Sequence, residues 1–327
     1  MKEKVIPISI NKNLFFKIKF FLKKIPVLVK INKFFGPILT NLHINFINKF
    51  IINNKKITFD NTENGKELLV LNNYSEKYIV NSSDKTIGRS LYINGEFEFD
   101  LFLDALKILQ NKKYKKLIDI GANIGSICIP AIKRGIFEYS LAIEPEPYNY
   151  NLLIKNIFIN ELNNKIETLN IACGQVDNEK LKFELSVDNF GNHQIKSNSK
   201  EINIYNDDRR KVITVNTKKL DTVIKSFNLK ETLIWIDTQG YEGFILDGGK
   251  DTLSAKATIV IEFWPYGLDK FNSYNLLKSS LIKAEYKNCY DLNSKKYLKN
   301  LTEVSMDEIY FDYKSRKVDF TNLLFFD

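Results

Sequence analysis

The sequence predicts an α/β fold: a mostly parallel sheet with helices on both faces. Two observations carry that expectation. Short apolar runs of strand length alternate with amphipathic stretches of helix length from residue 116 onward, the pattern of a sheet whose crossovers are helices. Several of those runs also end on an acidic residue, with Asp119, Glu144 and Asp237 each closing one. In such a sheet ligands bind outside the carboxyl ends of the strands, where strand order reverses.

Taken in order, residues 1–60 read as a basic helical N-terminal segment, 61–115 as lead-in strands and a helix, and 116–327 as the main domain. The first segment holds twelve lysines against Glu3 and Asp60, while the whole chain sums to +9. The remainder is therefore near neutral, which argues against nucleic acid as a partner. The N-terminal apolar run is too short for a signal peptide, and Asn11 and Lys12 end it. The uncharged stretch from Phe34 to Asn48 is too short to span a bilayer. Leu14, Phe15, Ile18, Phe21, Leu22 and Ile25 share one helical face, flanked by lysines and stopped by Pro26. Such a helix fits either an anionic membrane surface or a docking site on the main domain; Phe16 and Phe20 on its other side favour docking. The expected location is cytoplasmic, with peripheral contact at the inner membrane face as an option.

In the lead-in, "KYIV" at 77–80 predicts a strand, "SLYINGEFEFD" from Ser90 a strand, turn and strand, and Phe102–Leu109 a helix. Then follow a strand at Lys116–Ile120, a helix at Ile124–Lys133, a strand at Tyr139–Ile143, a helix at Tyr148–Asn160 and a strand at Ile166–Ala172. Residues 178–215 break the rhythm, with "LKFELSV" and "KVITVN" as strands around a polar excursion. A helix at Leu220–Phe227, a strand at Leu233–Ile236, a helix through Leu246 and a strand at Thr258–Ile261 restore it. After a helix at Tyr274–Lys283, "YKNCYDL" and "DEIYFDY" read as two late strands.

Composition narrows the chemistry. Cys128, Cys173 and Cys289 lie far apart with no CxxC, which fits a reducing compartment and neither a disulfide framework nor a zinc site. His43 and His193 are the only histidines, so a histidine-rich metal centre is excluded. No obligatory metal is expected.

The segment "LIDIGANIG", residues 117–125, places Asp119 at a strand end beside Gly121 and Gly125. The glycines allow a sharp turn and close approach of a ligand, and the next helix presents free N–H groups to it. A nicotinamide dinucleotide needs a third glycine where Asn123 stands, so that fingerprint fails. S-adenosyl-L-methionine carries no phosphate, and its cationic groups favour a carboxylate near the turn. Glu144, in "LAIEPEP", stands 25 residues after Asp119 and can accept both hydroxyls of a ribose. Asp237 and Glu242, in "WIDTQGYEGFILDGG", and Glu262, after "TIVI", bring further carboxylates to the same edge.

These motifs resemble the FkbM family of S-adenosylmethionine-dependent methyltransferases. The resemblance rests on "IDIGANIG", on "AIEPEP" followed by "NLLIKNIFIN", on "VNTKKLDTVI", and on "IDTQGYEGFILDGG" with "IVIEF" after it. It implies a class I methyltransferase (Rossmann-like) fold with a seven-stranded sheet, in which the two late strands would be antiparallel edge strands. It also implies transfer to a hydroxyl oxygen, such as that of a saccharide or polysaccharide precursor. The family often has Lys where Trp235 stands. The expected cofactor-binding set is Asp119, Gly121, Ala122, Asn123, Gly125, Glu144 and Pro145. A weakly acidic hydroxyl calls for a general base, and Asp237, Glu242 and, less favoured by its place in a loop, His193 are the candidates. Two rivals stay open: a non-catalytic methyltransferase-like binding protein of a glycan-assembly complex, and an NAD(P)-dependent oxidoreductase.

Overall fold

The structure, a computed structural model, describes residues 48–110, 114–196, 210–316 and 319–327. The amphipathic stretch around Leu14–Ile25 lies outside the described residues. Strands β1 (Glu67–Leu71) and β2 (Lys77–Asn81) form an antiparallel hairpin. Then come β3 (Lys116–Ile120), β4 (Tyr139–Ile143), β5 (Ile166–Leu169), β6 (Ala172–Gly174), β7 (Lys180–Leu185), β8 (Gln194–Ile195) and β9 (Lys211–Lys219). Strands β10 (Thr232–Ile236), β11 (Thr258–Phe263), β12 (Asn288–Asp291), β13 (Lys296–Lys299) and β14 (Thr321–Phe326) complete the set. The main sheet has eight strands in the order β13-β12-β14-β11-β10-β3-β4-β5. β5, β4, β3, β10 and β11 run parallel, and β14 is inserted antiparallel between β11 and β12. The order reverses at β3, which has β4 on one side and β10 on the other.

The central strands are apolar on both faces, as a doubly covered sheet demands. Alternation then sorts their side chains into two cores. Ile118, Ile120, Ile234 and Ile236 face the C-terminal helices and the small sheet β6-β9-β7-β8. Leu117, Leu233 and Trp235 face the N-terminal elements and the helix Pro147–Ile159. Trp235 is 3% exposed and packs edge-on against Phe102 at 5.4 Å. An apolar ring is therefore what this position accommodates, and no cation reaches the site from it.

The hairpin β1–β2 is fastened by two asparagines one helical turn apart. Asn156 Oδ1 accepts from the amide of Ile79 at 2.6 Å and Asn160 Oδ1 from that of Lys77 at 3.0 Å. Their Nδ2 atoms donate back to the carbonyls of the same two residues. Two side chains thus stand in for a neighbouring strand along the open edge of β2, which would otherwise bury unpaired backbone groups.

Four differences from the sequence reading have physical causes. "SLYINGEFEFD" forms the helices Ile87–Asn94 and Phe99–Ile108, not two strands. Burial of Ile87 and Leu91 follows the four-residue spacing, and Gly95 closes the first helix with φ 85°. "DEIYFDY" lies inside the helix Glu303–Ser315. Met306, Ile309, Tyr310 and Tyr313 bury one face at helical spacing, and Thr302 with Ser305 makes a capping box. The antiparallel insertion is β14 instead, and β12, within "YKNCYDL", gains a hairpin partner in β13, so the sheet has one strand more than the expected seven. The run 166–172 splits, because Ala172 leaves the main sheet to pair with Thr217 in β9.

Candidate active site

The carboxyl ends of β3, β4, β10 and β11 open into a cavity of about 270 Å³. Its floor is the turn after β3. The amides of Gly121 and Ala122 both donate to the carbonyl of Ile143, at 2.9 and 3.0 Å, which folds the turn back over β4. Gly121 has φ 87°, and a Cβ there would lie 1.9 Å from the carbonyl oxygen of Asp237. At Gly125, φ 93°, a Cβ would meet Ile129 and Leu153. Both glycines are thus required by the protein's own packing. The first lets the ends of β3 and β10 touch, and room for a ligand follows from that contact.

The sequence-predicted residues divide on their placement. Gly121, Asn123, Glu144, Pro145, Asp237 and His193 line the cavity. Asp119 and Glu242 are buried outside the lining. Asp119 is 1% exposed and accepts from the amide of Cys128 at 3.2 Å, holding the start of the following helix. Burial pushes its carboxyl up to about 7. Glu242 is fully buried; its Oε1 accepts from the amide and hydroxyl of Thr238 at 2.9 and 2.8 Å, while Oε2 has no hydrogen-bond partner. That geometry braces the loop after β10. Ala122 is buried in the core beneath the turn.

Glu144 is 4% exposed and accepts from the amides of Asn123 and Glu146 at 2.9 and 2.8 Å. Each oxygen keeps a further lone pair. Burial pushes its pKa to about 8 despite those bonds, so a cationic or hydroxylic ligand would complete its environment. Farther along the same row of strand ends, Gln239 Nε2 donates to Asp237 at 2.8 Å and to Glu262 at 3.0 Å. The two carboxyls are also hydrogen-bonded to each other. Burial and the charges of Asp237 and Glu242 hold Glu262 well above the carboxylate range. Burial raises the Asp237 carboxyl as well, while its bonds from Gln239 and Glu262 pull it down, so the pair titrates as a unit in which Glu262 holds a proton the more tightly.

Sequence reasoning missed Glu98, Gln239, Phe190 and Trp264, which also line the cavity. Gln239 had a signal: it stands between Asp237 and Gly240 in a turn, with φ 59°. Glu98 had none, since its strand-like surroundings hid a helix start at φ 54°. Among the described residues, no Lys or Arg lines the cavity, and no group of three or more His, Cys, Asp or Glu is arranged to hold a metal ion. No helix among them is long and apolar enough to cross a membrane.

Against known proteins, residues 119–278 match the family described as Methyltransferase FkbM domain. A comparison with curated protein sequences returns no significant match. Similar solved structures include methyltransferase FkbM from Methylobacillus flagellatus KT, at 15% identity over 74% of this chain and with a TM-score of 0.38. This chain spans only 55% of that protein. TYW2 from M. jannaschii, in complex with AdoMet, aligns at 13% identity over 81% of this chain and 86% of that one, with a TM-score of 0.38. StiE O-MT aligns at 9% identity over 69% of this chain and 71% of that one, with a TM-score of 0.37. The family match begins at Asp119 and runs past Glu262, so it contains Glu144 as well as the Asp237–Glu262 pair, and residues 119–278 make up a methyltransferase domain of the FkbM type.

Proposed function

We propose that this methyltransferase acts on a hydroxyl oxygen of a saccharide or a polysaccharide or glycolipid precursor. The observation that carries this reading is the lining of the cavity. It combines carboxyl and amide groups with the rings of Phe97, Trp264 and Phe320, and no described cation. Carboxylates and amides hydrogen-bond sugar hydroxyls, while aromatic rings cover the apolar faces of a sugar. The same lining suits the cationic cofactor and disfavours an anionic group at the reacting end of the acceptor.

S-adenosylmethionine, when bound, supplies an electrophilic methyl group. Glu144 is then the acceptor for the ribose hydroxyls, with Pro145 and the turn Gly121–Gly125 shaping the pocket around it. Asp119 and Ala122 serve the cofactor through the turn they support. Asp237 is the general base, because it lines the cavity and is the more readily ionised carboxyl of its pair. Gln239 fixes its orientation, and protonated Glu262 supplies the hydrogen bond that keeps it ionised. Glu242 holds the loop that carries Thr238.

The chain is placed in the cytoplasm on this reading, and the lysines of residues 1–60 could hold it against an anionic membrane surface that carries lipid-linked sugars. Co-sedimentation with anionic but not neutral vesicles, abolished by salt, is expected if they do.

Labelled S-adenosylmethionine offered with nucleotide sugars, lipid-linked saccharides and small phenols tests the acceptor. Label on a saccharide hydroxyl is expected. Label on a phenol alone would overturn the saccharide assignment. A melting temperature unmoved by S-adenosylhomocysteine would overturn the cofactor site itself, since a ligand that binds only the folded state must raise it.

A further inference from the structure

We propose that His193 is a hydrogen-bond donor that reads a ring nitrogen of the adenine base, and not the proton acceptor of the reaction. The proposal rests on the cofactor reading above.

The tautomer follows from one contact. The backbone amide of Ser186 donates to His193 Nδ1 at 2.9 Å. A nitrogen that accepts such a bond holds its lone pair there and carries no proton. In the neutral ring the proton must then be on Nε2. Protonating the ring would set two donors against each other, and burial with Arg210 nearby already pushes the pKa to about 3. Nε2 is therefore a fixed donor with no lone pair for a substrate proton. His193 lines the cavity, and its only side-chain hydrogen bond among the described residues is the one at Nδ1.

The placement of the ring selects what it faces. His193 packs against Phe190 at 5.3 Å and edge-on to Phe183 at 6.4 Å. The carbonyl of Phe190 accepts from Asn123 Nδ2 at 3.0 Å and from Asn149 Nδ2 at 3.2 Å. Asn123 belongs to the glycine turn, and Asn149 to the first turn of the helix after Glu144. Two side chains from the β3 and β4 ends thus tie the loop that carries His193 into the half of the cavity beside the proposed ribose acceptor. A ligand held by its ribose at Glu144 extends its base into that half, and a purine offers ring nitrogens as acceptors and no ring N–H.

The test is a deaza scan by calorimetry. S-adenosylhomocysteine and its 1-deaza, 3-deaza and 7-deaza analogues are titrated into the wild-type protein. One analogue alone is expected to bind about tenfold more weakly, the loss of one neutral hydrogen bond. His193→Phe should bind that analogue and the parent equally. His193→Gln, which keeps a side-chain N–H, should recover part of the discrimination, and that rescue separates a donor from a merely structural ring. Equal binding of all four ligands by the wild type overturns the proposal alone. So does undiminished discrimination in a folded His193→Phe. No binding of S-adenosylhomocysteine by the wild type overturns the cofactor reading as well.

Discussion

The two walls of the cavity are built differently. One is made of strand ends: Glu144 after β4, Asp237 after β10 and Glu262 within β11. The other is made of loop and helix-start residues: Glu98, Phe190, Asn192 and His193. In the first, hydrogen-bond register places each carboxyl. Ile120 pairs with Ile236 on one side and Ile143 on the other, so the residues that follow all three strands arrive at one edge. In the second, position depends on side chains reaching across the fold, such as Asn123 and Asn149 to Phe190, or Asp84 to the amide of Phe190. A sheet therefore fixes chemistry from local sequence, whereas a loop wall needs partners far away in the chain.

The largest expected effect breaks the strand wall. Gly121→Ala should destabilise the protein by about 4 kcal/mol in denaturant unfolding, because the clash with Asp237 adds to the strain of a positive φ. Gly135→Ala is the control. It also has positive φ, 71°, but nothing lies within 4 Å of its Cβ, and the cost should be about 1 kcal/mol. Equal losses at the two sites would mean that the β3–β10 contact is not what demands the glycine.

Next comes the chemistry held by that wall. Asp237→Asn should lower turnover by about a hundredfold while affinity for S-adenosylhomocysteine changes only a few fold. An unchanged rate with labelled cofactor and the identified acceptor would remove Asp237 from the base role.

Much of this was legible before any coordinates. The parallel strands, the turn at 121–125 and the acidic strand ends follow from short apolar runs alternating with helix-length stretches and from glycines that follow such runs. The roles of Asp119 and Glu242 were not legible, because an acid at a strand end reads the same whether it faces the cavity or the protein interior. The helix Ile87–Asn94 was hidden by β-branched and aromatic residues whose burial is decided by distant partners. The strand-like reading of 307–313 failed likewise, since Ile309, Tyr310 and Tyr313 serve a helical face as well as a strand.

Glu242 offers a smaller, pH-dependent effect. Its folded pKa is raised to about 7 by burial, against an ordinary 4.5. The folded state thus holds the proton more tightly than the unfolded chain. The stabilisation is fully present below pH 4.5 and is lost as pH rises through 7. Glu242→Gln should remove on the order of 2 kcal/mol of that decline. Glu144 and Asp119, raised in the same direction, should leave a residual slope. Stability curves that stay parallel for wild type and variant would show that Glu242 does not titrate in this window.

The finest test asks whether Glu144 serves the ligand or only the backbone. Its oxygens accept from the amides of Asn123 and Glu146, so any substitution perturbs the turn as well as the pocket. Affinity for S-adenosylhomocysteine alone cannot separate the two roles. A ligand lacking a ribose hydroxyl can. The wild type should bind the 2′-deoxy or the 3′-deoxy analogue about tenfold more weakly than the parent, as expected for one lost hydrogen bond. In Glu144→Gln the parent should weaken, and the gap between parent and deoxy ligand should narrow. A backbone role predicts that all ligands weaken by the same factor, because a distorted turn does not distinguish one ribose from another. Calorimetry on the pair of proteins and the three ligands gives the interaction energy directly. A gap that survives the substitution would leave the strand wall as scaffold and move ribose recognition to the loop wall, reversing the division of labour between them.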